Sequence, residues 1–385
     1  MPRRSANIEE EAERFAKSET KTGTEETIGR LGADNLLSCG SSLVNLACSG
    51  NADGAFLKGR YYIIVGASGA GKTWMTHAIF AESTIHPVFR KYRLIRDIPE
   101  SGADFDVERF FGRKTASRIE EAWPGRTDEH GNPIPNSRTV EEFYDNVNRK
   151  LDEAEQAGTG IIYVLDSMDA LGSESFSKSV EENMQAREKG AEVKGSYGDG
   201  KAKVNSQRLR DICLRLDVSG SFLFIICQER DAIGALHAGK TFSGGNALLF
   251  YACLQLWMKR LSPITAAIGG KARNLGTMTK CQVMKNRLTG QQDRDVVVSY
   301  YHSFGMDDLG DMFDYLLAEG HWAGGKTANS KVQEVEFGQF LAKEDFIAWL
   351  QKEGGEAELR SIVQNVHSGI QESIRNRVRR ISKYE

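Results

Sequence analysis

The chain has 385 residues, 40% of them hydrophobic and 27% charged, with a formal net charge of −3. That length suits one large domain or two to three smaller ones, and the apolar share supports a real core. No apolar run reaches the ~18 residues of a membrane helix, Cys39, Cys48, Cys213, Cys227, Cys253 and Cys281 form no Cys-x-x-Cys pair, and Met1-Pro2-Arg3-Arg4 leads into acidic polar sequence. The expectation is a cytoplasmic protein with reduced cysteines, no signal peptide and no membrane partner.

Residues 1–35 are polar; Asn7 to Lys17 reads as a short charged helix and Ser18 to Glu26 as a linker. Leu36 to Lys58 is a mixed apolar lead-in ending at Gly59. Strand and helix patterns then alternate: strand 61–65, helix 72–81, strand 92–96, helix 140–156, strand 161–166, helix 206–217 and strand 221–227. Phe250 to Met258, Cys281 to Lys285 and Val296 to Tyr301 are further strand candidates. This alternation predicts an α/β fold with a mostly parallel twisted sheet flanked by helices. The polar, glycine-containing stretch from Gly172 to Val204 reads as a long loop, which in an α/β domain is usually functional or disordered. From Asp307 the pattern turns helical, and the chain ends in a basic tail with Arg375, Arg377, Arg379, Arg380 and Lys383. The predicted division is an N-terminal helix and linker (1–35), a core (36–305) and a mainly helical C-terminal region (306–385). No internal repeat is visible.

Within the core, Gly66-Ala67-Ser68-Gly69-Ala70-Gly71-Lys72-Thr73 fits the phosphate-binding loop, a glycine, four residues and then Gly-Lys-Ser/Thr. Its flanks fit too, a strand run before it and a helix-opening run after it. Glycines let backbone N–H groups turn onto phosphate oxygens, and the helix N-terminus adds partial positive charge. Lys72 is expected to reach the β- and γ-phosphates and Thr73 to ligate Mg²⁺. Ile161 to Leu165 is an apolar run ending at Asp166, a carboxylate placed to hold the same Mg²⁺ through water. Thr73 and Asp166 are thus the candidate metal residues, and ATP with Mg²⁺ the implied cofactors.

Charge is segregated. Residues 232–292 contain no Asp or Glu in 61 positions, yet hold Lys240, Lys259, Arg260, Lys271, Arg273, Lys280, Lys285 and Arg287. Residues 187–210 hold seven Lys/Arg against three acids. Basic stripes of this kind suit a polyphosphate partner.

Four segments in order carry a resemblance. Asp166-Ser167-Met168-Asp169-Ala170-Leu171 resembles the Asp-Ser-x-x-Ala-Leu of RecA-type recombinases. Gly244-Gly245-Asn246-Ala247-Leu248-Leu249-Phe250-Tyr251-Ala252 is similar to their Gly-Gly-x-Ala-Leu-x-Phe-Tyr-Ala. Val283-Met284-Lys285-Asn286-Arg287 resembles Val-x-Lys-Asn-Lys, and Leu37-Ser38-Cys39-Gly40 matches the lead-in. The short N-terminal region and the Gly-His-Trp of the C-terminal region look like the bacteriophage, UvsX-like branch.

The resemblance implies roles. Glu100 takes the place of the glutamate that activates the attacking water, as a buried carboxylate, with Asp97 as the alternative. Gln228 matches the glutamine that senses the γ-phosphate, and Lys285 and Arg287 match paired lysines that reach a neighbouring subunit's ATP. Residues 173–203 and 229–244 correspond to two DNA-binding loops. Lys194, Lys201 and Lys203 in the first, Arg230, His237, Lys240 and Gly244 in the second, and Gly245 just after it, are the expected DNA-binding residues. The implied protein is an ATP-dependent recombinase that forms helical filaments on single-stranded DNA and pairs it with double-stranded DNA. A loading or mediator protein and a single-strand binding protein would be its partners. Two alternatives stay open: a DNA-stimulated ATPase of the same fold without strand exchange, and a P-loop kinase of a small molecule.

Overall fold

The computed structural model describes residues 31–100, 105–189, 200–231, 240–292, 294–324, 332–333, 336–340 and 342–377. The helix expected at 7–17, the linker at 18–26 and the tail residues Arg379, Arg380 and Lys383 lie outside the described residues.

The strands of the core are β1 Leu36–Leu37, β2 Phe56–Leu57, β3 Arg60–Gly66, β4 Arg93–Asp97, β5 Ile119–Glu121, β6 Ile161–Leu165, β7 Phe222–Asp231, β8 Lys240–Phe242, β9 Leu254–Ile268, β10 Lys271–Asn286, β11 Arg294–Tyr301 and β12 Gly305–Met306, and Ala323–Gly324, Val332–Gln333 and Gln339–Phe340 form a small separate antiparallel sheet in the otherwise helical C-terminal region. The helices are α1 Ser42–Ser49, α2 Lys72–Ile85, α3 Val107–Ala116, α4 Val140–Gln156, α5 Glu174–Glu188, α6 Lys201–Ser219, α7 Asn246–Tyr251, α8 Asp308–Ala318, α9 Lys343–Glu353 and α10 Glu356–Arg377.

The main sheet runs in the order β12-β11-β10-β9-β3-β7-β6-β4-β5, with β8 paired to β7. From β9 to β5 the neighbours are parallel; β10, β11 and β12 extend the other edge antiparallel. Successive side chains of β3 point to opposite faces, and both faces are covered, as a parallel sheet requires. Tyr62 and Ile64 join Met75, Ile79 and Phe80 of α2 in one core. Tyr61, Ile63 and Val65 join Phe143, Val147 and Leu151 of α4 and Leu209, Ile212 and Leu216 of α6 in the other. The expected α/β fold, a large mostly parallel sheet flanked by helices, is what forms.

The C-terminal helices build a third core from Met312, Phe313, Leu316, Phe346, Leu350, Leu359 and Val363, and this core takes in Leu46 of α1. Asp308 also accepts hydrogen bonds from the Ser42 amide (2.6 Å) and hydroxyl (2.7 Å).

Three local expectations change. The stretch read as a loop contains α5, which Ser173 caps by accepting the Phe176 amide. No described side chain of α5 is buried, and its few apolar residues, Phe176, Val180 and Met184, stand among polar and charged ones, so the apolar stripe that marks a core-facing helix is thin. Its Glu, Gln, Met, Ala and Arg are good helix formers. The strand expected at 250–258 begins at Leu254, because Asn246–Tyr251 winds into α7 behind Gly245, whose φ is 82°. The strand expected at Cys281 to Lys285 is part of a much longer hairpin, β9–β10, turned by Gly269 and Gly270 at φ 60° and 74°. Two positive-φ glycines are the usual chemistry of a two-residue hairpin turn.

Candidate active site

The loop Gly66–Thr73 joins the end of β3 to the start of α2, so the first amides of α2 open at the carboxyl edge of the sheet. Gly66 and Gly71 are required sterically. A side-chain carbon at Gly66 would lie 2.3 Å from the Met258 carbonyl oxygen, and one at Gly71 (φ 90°) would lie 2.9 Å from the Tyr300 ring. Lys72 folds back and donates to the carbonyls of Gly66 and Ala67, each at 2.8 Å. Burial pulls its ammonium below the usual lysine range. A phosphate that displaced those two carbonyls would offer the ammonium a full charge in return.

Thr73 donates its hydroxyl to Asp166 Oδ2 at 2.7 Å. Asp166 stands one residue past β6, only 9% exposed, and burial raises its carboxyl above the usual range. A hydroxyl and a poorly solvated carboxylate beside a phosphate loop form an oxygen donor set that suits Mg²⁺, which keeps most of its waters. The residues therefore fit the ion the sequence implied.

Glu100 faces the same cavity, of about 720 Å³, which Lys72, Thr73, Asp166 and Gln228 also line. It is exposed rather than buried, and its carboxylate accepts the Ser167 hydroxyl at 3.0 Å. The expected buried carboxylate is Asp97 instead. It is fully buried, accepts from the Ser137 amide (2.8 Å), the Ser137 hydroxyl (2.6 Å) and the Tyr163 hydroxyl (2.6 Å), and has its carboxyl raised by burial. Its oxygens are committed to the fold, which leaves Glu100 as the carboxylate open to the cavity. Gln228 sits on β7 beside Gly66, in register, with its side chain exposed.

Lys285 and Arg287 do not line this cavity. Lys285 donates to the carbonyls of Leu249 (2.5 Å) and Phe250 (2.8 Å), which closes the C-terminal end of α7. Burial, and Arg287 beside it, lower its ammonium to about 8. The Arg287 guanidinium lies over the exposed Phe250 ring, 5.4 Å from its centroid. Both therefore have partners within the subunit, on neighbouring α7 rather than on their own strand.

The expected DNA-binding residues divide. Lys203 and Arg230 are exposed. Lys201 is buried at 6% exposure with its ammonium 3.5 Å from the Asp169 carbonyl, so in the subunit it packs inside rather than presenting a surface cation. Gly244 and Gly245 are explained by close packing. Side-chain carbons there would meet Leu248 at 2.5 Å and Ala202 at 2.7 Å, and the Gly244 carbonyl accepts from Asn205 at 2.7 Å. Lys194 and His237 lie outside the described residues, as does the side chain of Lys240, whose backbone opens β8.

Sequence reasoning missed several cavity residues. Thr279 and Tyr300 line it, and among the described residues their buried hydroxyls have no hydrogen-bond partner. Arg260 lines it from β9, two residues past the Met258 that pairs with Gly66. Trp74 packs on Phe110 and Phe105 with ring centroids 4.4 and 4.8 Å apart. Only strand register across the antiparallel edge could have brought 260, 279 and 300 together.

A family model described as the RecA N-terminal domain matches residues 154–306. Protein RecA of Porphyromonas gingivalis is 26% identical over 70% of this chain and 70% of its own. Protein RecA of Geobacter metallireducens is 33% identical over 32% of this chain and 37% of its own. That of Syntrophobacter fumaroxidans is 30% identical over 34% and 38%. These similarities support the RecA-type family. No helix among the described residues is long and apolar enough to cross a membrane.

Proposed function

We propose that this chain is an ATP-dependent DNA recombinase of RecA type, in the bacteriophage, UvsX-like branch. The observation that carries the reading is the convergence of Lys72, Thr73, Glu100, Asp166 and Gln228 on one cavity at the carboxyl edge of the sheet.

In this reading the loop amides and Lys72 hold the β- and γ-phosphates of ATP. Thr73 and Asp166 hold Mg²⁺, which supplies charge neutralisation when bound. Glu100, tethered by Ser167, orients the attacking water and accepts its proton. Gln228 contacts the γ-phosphate and carries its presence into residues 229–244. Lys285 and Arg287 serve the next subunit's nucleotide, leaving the α7 carbonyls and Phe250 as the filament forms. Subunits repeating head to tail make a heterologous contact that does not close, hence a helical filament. Lys203, Arg230 and the basic segment 232–292 supply phosphate contacts to single-stranded DNA, with double-stranded DNA as the pairing partner. A loading protein and a single-strand binding protein remain part of the proposal, as does the division into 1–35, 36–305 and 306–385.

The test combines three measurements on the full chain. ATP hydrolysis should rise on addition of single-stranded DNA. Electron microscopy with single-stranded DNA and a non-hydrolysable ATP analogue should show regular helical filaments, and a labelled strand should exchange into a homologous duplex. DNA-stimulated hydrolysis without filaments or exchange would overturn the recombinase reading in favour of a DNA-stimulated ATPase.

A further inference from the structure

Asp169 has no role in the mechanism above, yet it sits between the two halves of it. It lies in the short helical turn Met168–Ala170, three residues past Asp166. Its side chain is 5% exposed. Oδ2 accepts the Gln228 backbone N–H at 2.6 Å, and Oδ1 lies 2.9 Å from the Arg230 guanidinium, which is itself 55% exposed. Gln228 and Arg230 are two apart on β7 and so share a face of the strand. One buried carboxylate thus holds the backbone of the residue that lines the nucleotide cavity and the side chain of the cation beyond it.

We propose that Asp169 is a positioning residue that latches the end of β7, pairing Arg230 so that DNA phosphates and Asp169 compete for the same guanidinium. The proposal rests on the recombinase reading and adds a regulation to it. A DNA phosphate that captures Arg230 strips a nearly buried carboxylate of its cation, which is costly unless that carboxylate moves. Asp169 cannot move without disturbing the Gln228 N–H that it accepts. In the latch, nucleotide contact at Gln228 draws the end of β7 away from Asp169, so it and DNA capture of Arg230 favour the same released arrangement. By linkage each ligand must strengthen the other by the same factor.

Single-stranded oligonucleotide binding by fluorescence anisotropy tests this on the full chain, with and without a non-hydrolysable ATP analogue. Asp169→Asn is isosteric and keeps an acceptor for the Gln228 N–H while removing the charge. It should tighten binding without nucleotide by roughly 5–30-fold, within the usual range of coupling between sites, and the analogue's enhancement should shrink by a similar factor. Asp169→Ser should behave alike, and Asp169→Glu, which keeps the charge, should stay near wild type. In an Arg230→Ala background Asp169→Asn should change nothing, because the competing guanidinium is gone. Thermal melting by circular dichroism verifies each fold. Unchanged affinity in the folded Asn and Ser variants overturns the latch. So does an equal gain with and without Arg230, which would reflect only the removal of a negative charge. If wild type binds no single-stranded DNA under any nucleotide condition, the recombinase reading itself fails and the latch falls with it.

Discussion

The Thr73 hydroxyl donates to the Asp166 carboxylate at 2.7 Å, joining the first turn of α2 to the end of β6. That contact brings together two residues 93 positions apart and sets the floor of the cavity in which Lys72, Glu100 and Gln228 meet. The nucleotide chemistry proposed for this chain depends on it.

Lys72→Ala should abolish ATP hydrolysis and nucleotide-dependent DNA binding while the fold survives. Among the described residues the ammonium donates to two loop carbonyls and to no core group, so its loss removes no core packing. Losing one preorganised charge contact to a transferring phosphoryl group costs on the order of 10²–10³ in kcat. Steady-state hydrolysis at wild-type rate in a folded variant would defeat the assignment.

Glu100→Gln should keep ATP binding and filament formation but slow hydrolysis by roughly 10²-fold or more, the scale of a lost general base. Asp97→Asn should act differently. Its carboxylate serves Ser137 and Tyr163 in the interior, so the substitution should lower the melting temperature, with hydrolysis falling only as far as the fold does. Stopped-flow phosphate release and thermal melting separate the two outcomes. The reverse pattern would make Asp97 the base.

Lys285 carries the pH dependence. Burial lowers its ammonium to about 8, so the folded chain loses that charge as pH rises through about 8, well before an ordinary lysine would. If Lys285 leaves the α7 carbonyls for the neighbouring subunit's phosphates, assembly must recharge it, so filament formation with the ATP analogue should weaken as pH rises through that window. Lys285→Arg, charged throughout, should flatten the fall. In the same window the unfolded chain binds more protons at this position than the folded one, so stability should rise slightly with pH. A flat assembly profile from pH 7 to 9 would remove Lys285 from the nucleotide.

Arg287 should act in trans. An Arg287→Ala protein retains its own phosphate loop, and a Lys72→Ala protein retains its own guanidinium. Mixed filaments of the two should recover part of the ATPase activity at the interfaces where both intact halves meet. Arg287→Lys should lose less than Arg287→Ala, since charge survives while the planar fork does not. Verified co-assembly with no recovery would return Arg287 to its packing on Phe250.

Salt should separate the two lysines of the first segment. Lys203→Ala should reduce the slope of log affinity against log salt by about one, the effect of one lost phosphate contact. Lys201→Ala should leave that slope unchanged and instead lower the melting temperature, because Lys201 is buried beside the Asp169 carbonyl. An unchanged slope for Lys203 would take it off the DNA path.

What was legible in the sequence was local. The run Tyr61 to Val65 followed by Gly66–Thr73 encodes strand, loop and helix within fifteen residues, and each signal reinforces the next. The strand ending beside Asp166 was readable for the same reason. Contacts made across long separations were not. Nothing near Asp169 announces that its carboxylate will meet Gln228 and Arg230, about sixty residues later. Nor does the run Val296 to Tyr301 reveal that the Tyr300 ring will press on Gly71. Glu100 and Asp97 differ in burial because Ser137 and Tyr163 converge on one and not the other, a fact of tertiary packing. The β9–β10 hairpin was within reach, since Gly269-Gly270 is a turn signal between two strand-forming runs.

The exposed helix α5 has a consequence for how freely this region can vary. Phe176, Val180 and Met184, four apart along it, are 42%, 41% and 57% exposed, and no described side chain of the helix enters a core. An isolated helix of its 15 residues is only marginally stable in water. Its amides should therefore exchange with solvent far faster than those of β3, and a protease should nick it first while the sheet stays whole. Because neither sheet face leans on it, the segment can lengthen, shorten or change sequence at little cost to folding. Its length is thus free to vary independently of the cavity that Lys72, Thr73 and Asp166 line.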